Sequence, residues 1–122
     1  MQTNQKIILL FVISVASLFS FAQKTATISK EDLSAGKKSS QYAFVLPNDI
    51  TSKQVDAVSS YYKDYFTTVY NPTTHTLRLT MLSKDTINLQ VINRIMLSLD
   101  VQDFLVGAEK LTFTELFDKY LK

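Results

Sequence analysis

An α+β domain is what this sequence predicts, and three observations carry that reading. Runs rich in β-branched and aromatic residues, such as Gln41-Tyr42-Ala43-Phe44-Val45-Leu46 and Thr67-Thr68-Val69-Tyr70, alternate with segments whose apolar residues recur at helical spacing. Two Thr-x-x-Glu/Gln pairs, Thr51 with Gln54 and Thr112 with Glu115, have the spacing of helix-opening capping boxes. The order of the central elements is strand, helix, strand, strand, helix, strand.

The first strand, residues 41–46, is stopped by Pro47-Asn48-Asp49. A helix follows, opened by the Thr51/Gln54 box, with Ile50 and Val55 placed as a hydrophobic staple. Its apolar stripe is Val55, Val58, Tyr62, Tyr65 and Phe66. Thr67 to Tyr70 make a strand, Asn71-Pro72-Thr73-Thr74 turns it, and residues 75–82 form its hairpin partner. In that partner Leu77, Leu79 and Met81 alternate with Thr76, Arg78 and Thr80, the mark of a strand buried on one side. Ser83-Lys84-Asp85-Thr86 opens a second helix running to Leu99, with Ile87, Val91, Ile92, Ile95, Met96 and Leu99 inward. Phe104-Leu105-Val106 is a short last strand ended at Gly107. From Thr112, the residues Phe113, Leu116, Phe117, Tyr120 and Leu121 recur as one face of a short C-terminal helix.

Ahead of these elements, Lys6 precedes an almost wholly apolar run from Ile7 to Phe21, and Ser20-Phe21-Ala22 places small residues where a signal peptidase cuts before Gln23. That order of charge, apolar run and small residues is the pattern of a secretory signal peptide over residues 1–22. It implies a periplasmic or secreted protein with no membrane span after cleavage. The run's flanks and its Phe-Ala-Gln end resemble export signals of Bacteroidota. At this length, interrupted by serines at 14, 17 and 20, the run is short for a spanning helix, so an uncleaved anchor is the weaker reading. Residues 23–40 are mostly Lys, Thr, Ser, Ala and Gly, with Ile28 and Leu33 the large apolar exceptions, and read as a flexible leader holding at most a short strand near Thr25 to Ile28.

Composition narrows function further. The chain has 13 basic and 11 acidic residues and no basic block past Lys37-Lys38, which excludes nucleic acid as a natural partner. It has no cysteine, so an exported domain of this size folds on packing alone, and neither a thiolate metal site nor a lipidated N-terminal cysteine is available.

Strand, helix, strand, strand, helix, strand predicts a ferredoxin-like βαββαβ sandwich over residues 41–122: a four-stranded antiparallel sheet with two helices on one face, plus the short C-terminal helix. Tyr42, Phe44 and Leu46 are expected to face Leu77, Leu79 and Met81 beneath the helices. Over roughly residues 41–106 the order and spacing resemble the heavy-metal-associated domain of copper chaperones and metal-transporting ATPases. The resemblance rests on Phe44-Val45-Leu46 leading through a short loop to Val55, and on Thr74-His75-Thr76-Leu77-Arg78-Leu79-Thr80. The metal-binding cysteine pair of that family falls here on Thr51 and Gln54, so the resemblance implies the fold and not the metal chemistry.

Few side chains invite catalysis. Met81 and Met96 lie in apolar stripes, and His75 stands alone at a turn, so no metal site and no cofactor are expected. An acylphosphatase-like hydrolase needs a glycine-rich, arginine-bearing loop after the first strand, where this chain has Leu46-Pro47-Asn48-Asp49-Ile50-Thr51. The expectation is therefore a non-enzymatic exported domain that binds a protein or peptide, or its own copy. The alternatives are a metal-handling domain with non-cysteine ligands and, behind it, the small hydrolase. Tyr61, Tyr62 and Tyr65 cannot all face the sheet, because positions 61 and 62 are about 100° apart on a helix, and the stripe Phe113, Leu116, Phe117 and Tyr120 is too apolar for water. Tyr61 and Tyr62 join that stripe as candidates. These six residues are the candidate interaction surface. The C-terminal helix is expected to pack on its own domain, over the open sheet face or along its edge, with docking on a partner as the competing outcome.

Overall fold

The structure is a computed structural model and describes residues 24–122. The predicted signal segment and its cleavage point lie outside the described residues. The described chain is α+β, built from six strands and four helices. In chain order these are β1 (Lys24–Thr27), α1 (Lys30–Ser39), β2 (Gln41–Val45), α2 (Ser52–Tyr61), β3 (Phe66–Asn71), β4 (Thr76–Met81), α3 (Thr86–Ser98), β5 (Val101–Val106), β6 (Glu109–Thr112) and α4 (Phe113–Leu116). A π-helical turn over Phe117–Leu121 continues α4.

The strands form one mixed sheet in the order β3-β4-β2-β1-β5-β6, with β1 parallel to β5 and every other neighbour antiparallel. This corrects the four-stranded ferredoxin-like plan. That plan would make β2 and β5 neighbours, whereas β1 lies between them. β6 then adds an outer strand through a two-residue Gly107-Ala108 loop whose glycine sits at φ +62°. A positive φ there costs glycine nothing and any side-chain-bearing residue strain.

The flexible leader is also replaced. Residues expected to be mobile supply β1 and α1, and Ala26, Ile28, Leu33 and Gly36 are buried. The helix is closed at both ends. The Ser29 hydroxyl accepts from the Asp32 N–H at 3.0 Å, and Ser40, in the left-handed region at φ +65°, donates its N–H to the Gly36 carbonyl. Glu31 and Asp32 in the first turn and Lys37 and Lys38 in the last oppose the helix dipole. Lys24, at the head of β1, pairs with Asp49 at 3.0 Å in the loop before α2.

Alternation on the strands divides the sheet into two faces. Tyr42, Phe44, Phe66, Leu77, Leu79, Met81, Phe104, Val106 and Leu111 are buried and share one core with the inward residues of the helices. In the pairing of β5 with β1 the register shifts between Lys24 and Thr25, so that Val101 and Asp103 follow one another. That irregularity lets Val101 and Phe104, of opposite parity, both reach the core. Among the described residues no helix covers the other face, which carries Gln41, Ala43, Val45, Thr67, Val69, Asn71, Arg78 and Thr80, each exposed or half-buried.

Helix entries match the local signals. Both groups of each capping box engage, Thr51 with Gln54 and Thr112 with Glu115. Asp85 caps α3, accepting from the Asn88 N–H at 2.8 Å and from the Ser83 hydroxyl at 2.9 Å. The helix α2 stops at Tyr61, earlier than the stripe suggested. The Tyr62 carbonyl accepts from both Tyr65 and Phe66, and Phe66 begins β3.

Candidate functional site: the open edge at β3

The six residues predicted as an interaction surface fall into two separate places. Tyr61 ends α2 at 84% exposure, and with Tyr62, Ala57, Val58 and Ser98 it lines a hollow of about 270 Å³. Leu116 and Phe113 belong to the core instead, with Phe113 edge-on to Phe104, itself edge-on to Phe44. Both are removed from the candidate surface because the sheet between β2 and β6 needs them as its cover. Phe117 and Tyr120 are half-buried beside that core. The Tyr120 hydroxyl donates to Glu109 at 3.2 Å, and Lys119 pairs with the same carboxylate at 2.6 Å. These bonds fasten the C-terminal turn to β6 and hold the Glu109 carboxyl below its ordinary range, chiefly through Lys119. The C-terminal helix thus packs on its own domain, as expected, but on the helix-covered side rather than over the open face.

Among the described residues no group of three His, Cys, Asp or Glu side chains is placed to hold a metal ion. Met96 is fully buried and Met81 nearly so. His75 adopts φ +57° at the β3–β4 turn, and its Nδ1 lies 3.4 Å from the Tyr70 hydroxyl, which donates to the Ile50 carbonyl at 3.0 Å. That arrangement fastens the turn to the loop before α2. Thr51 and Gln54 are occupied by each other, at 2.8 Å and 3.2 Å.

The sheet edge is different. β3 is the outermost strand on its side and runs Phe66-Thr67-Thr68-Val69-Tyr70-Asn71, without a charge, a proline or a bulge. Natural edge strands usually carry one of these to prevent further pairing. The Tyr65 carbonyl accepts from the Leu82 N–H at 3.0 Å, so this antiparallel pair is hydrogen-bonded. Ladder alternation then turns the backbone of Thr67, Val69 and Asn71 toward β4 and that of Phe66, Thr68 and Tyr70 outward. The Phe66 N–H is taken by the Tyr62 carbonyl. Pro72, the next outward position, has no N–H to give. Among the described residues, the positions left with both N–H and C=O free form a short window: Thr68 and Tyr70.

Between them, on the uncovered face, Val69 stands 63% exposed. A hollow of about 280 Å³ beside it is lined by Val69, Asn71, Thr74, Thr76 and Arg78. The opposite edge offers no such window. β6 is four residues long, carries Glu109 and Lys110, and runs straight into α4. The uncharged run Thr67-Thr68-Val69-Tyr70 was the sequence signal for this site, and the strand order keeps it at an edge, as the βαββαβ plan also would.

Compared with known proteins, the chain matches no family model, no curated protein and no solved structure. Among the described residues no helix is long and apolar enough to cross a membrane.

Proposed function

We propose that this chain is an exported, non-enzymatic binding module that takes up an extended strand at the free edge of β3. Export rests on the signal-like order of residues 1–22. The observation that carries the binding reading is the uncharged, straight edge with unpaired backbone groups at Thr68 and Tyr70. In strand addition the backbone hydrogen bonds supply affinity, and alternate side chains reading the neighbouring surface supply specificity. Here that surface is the hollow beside Val69, with Arg78 at its wall.

Selection of binders from a displayed peptide library, followed by hydrogen exchange on the complexes, tests this. Selected peptides should slow exchange of the Thr68 and Tyr70 amides, and Thr68→Pro should abolish their binding. Binders that leave those two amides exchanging at their free rates would overturn the reading.

A further inference from the structure

We infer that the occupant of the β3 edge is a second copy of this chain, joined antiparallel about a two-fold axis through Val69. The inference rests on the strand-addition reading above and gives it a partner and a register. On a two-fold axis every side chain approaches its own copy or a symmetry-related neighbour, so a charged strand would repel itself. From Phe66 to Asn71 there is no charge. In an antiparallel pair the entry of one strand meets the exit of the other. Lys63 and Asp64 would therefore lie near His75 and Thr74 of the partner copy rather than near themselves.

Register follows from parity. Thr67, Val69 and Asn71 point to the uncovered face, and Phe66, Thr68 and Tyr70 to the helical side. Directly opposed residues must lie on the same face, so the axis passes through a residue and not between two. With Val69 on the axis, Thr68 of each copy faces Tyr70 of the other. All the free N–H and C=O groups of those two residues then satisfy one another. With Thr68 on the axis, the Tyr70 carbonyl would face the Phe66 N–H, which the Tyr62 carbonyl already holds.

The Val69 register also brings the exposed Val69 against its own copy at a non-hydrogen-bonded position, where Cα atoms approach to about 4.5 Å. Two sheets then continue as one, and the most exposed valine of the uncovered face is covered.

The absence of cysteine makes the register directly readable. Val69→Cys would place the chain's sole thiol on the axis, where the pair of Cβ atoms suits a disulfide. The exported protein should sediment as a dimer that dissociates on dilution. Mild oxidation of Val69→Cys should give quantitative covalent dimer, with Asn71→Cys giving little because it would face Thr67. Thr68→Pro and Val69→Lys, each folded by circular dichroism, should raise the dimer dissociation constant at least about tenfold.

A protein that stays monomeric at every concentration, and whose Val69→Cys variant does not cross-link, overturns the second copy. If that monomer still captures peptides with protection of Thr68 and Tyr70, the strand-addition reading stands without it. A dimer unaffected by both edge variants, with the two amides still exchanging freely, overturns both.

Discussion

Gly36 shows how much one atom decides at the contact between α1 and the sheet. A Cβ built there would lie 2.3 Å from Cε1 and 2.5 Å from Cδ1 of Tyr42, and 2.8 Å from the Gln41 carbonyl oxygen. The Tyr42 ring is nearly fully buried and burial already pushes its hydroxyl pKa up, so it has little room to yield. Gly36→Ala should cost about 1–3 kcal/mol through overpacking, outweighing alanine's better helix propensity, and thermal unfolding reads the loss. Asp85 gives a second prediction. The Asn88 N–H, and then the Ser83 hydroxyl, hold its carboxyl below the ordinary aspartate range in the folded state. Its contribution is therefore present above the unfolded aspartate pKa and disappears as pH falls through the lowered folded value. Asp85→Asn keeps a competent cap and should flatten that acid limb of the stability curve while leaving neutral-pH stability nearly unchanged. A pH series of melting temperatures on both proteins decides it. Residue-scale features of this kind were the most legible in the sequence. A capping box is a contact between positions three apart, so Thr51/Gln54 and Thr112/Glu115 need no tertiary information.

Elements were legible in proportion to the apolar surface each buries for itself. The strand β4 announces its buried face through Leu77, Leu79 and Met81, and α3 through Val91, Ile92, Ile95 and Met96. β1 has only Ala26 to bury and takes its stability from neighbours on both sides. The helix α1 buries just Leu33 and Gly36, although its Ser29 cap and its acid-to-base charge order were signals in plain view. β6 was hidden because Leu111 reads equally well as a staple for the following helix. Position within the sheet separates two proline substitutions. The Ile28 N–H donates to the Leu105 carbonyl, so by alternation the Ala26 N–H also faces β5, and Ala26→Pro should break a central ladder. Thr68→Pro removes only an outward N–H. The first should cost about 3 kcal/mol or more, and the second should barely move the melting temperature of the monomer, measured at a dilution where no dimer remains. Equal losses for the two would contradict the strand order. Deleting residues 113–122 removes the buried Phe113, Leu116 and Leu121 and uncovers Phe104. At about 1.5–3 kcal/mol for each large side chain, that should remove most of a stability of roughly 5–15 kcal/mol. Far-ultraviolet circular dichroism of the truncated protein should show a largely unfolded chain.

At the scale of the molecule, the reading of one sheet face covered by helices and one left bare was legible, because alternation on β2 and β4 fixes it. Tyr42 and Phe44 lie opposite Leu79 and Leu77 in the register expected of them. The full strand order was not legible, because it inserts β1 and adds β6 beyond the expected β3-β4-β2 run. It depends on which distant segments pair, and the four residues of β1 carry too little pattern to reveal that they split β2 from β5. The proposed interaction site does not depend on that insertion, since β3 lies outside β4 with or without β1 in the sheet. Prediction from side-chain type favoured large aromatic residues, and the core absorbed Phe113 and Leu116. The unpaired surface lies instead in the backbone of a threonine-rich strand, where no side chain advertises it.

The central place of β1 also has a consequence for timing. Its pairing joins Thr25 to Asp103, close to opposite ends of the described chain, so the middle of the sheet waits for the slowest kind of encounter. The segment that must slot between β2 and β5 directly follows the signal-like residues 1–22. If residues 1–22 direct export as proposed, whatever grips them would also hold back the strand, and a chain whose sheet cannot close would stay threadable. Refolding followed by stopped-flow fluorescence of the tyrosines should be slower with residues 1–22 attached than after their removal, while the two forms unfold at similar rates. Equal refolding rates would uncouple residues 1–22 from the closing of the sheet.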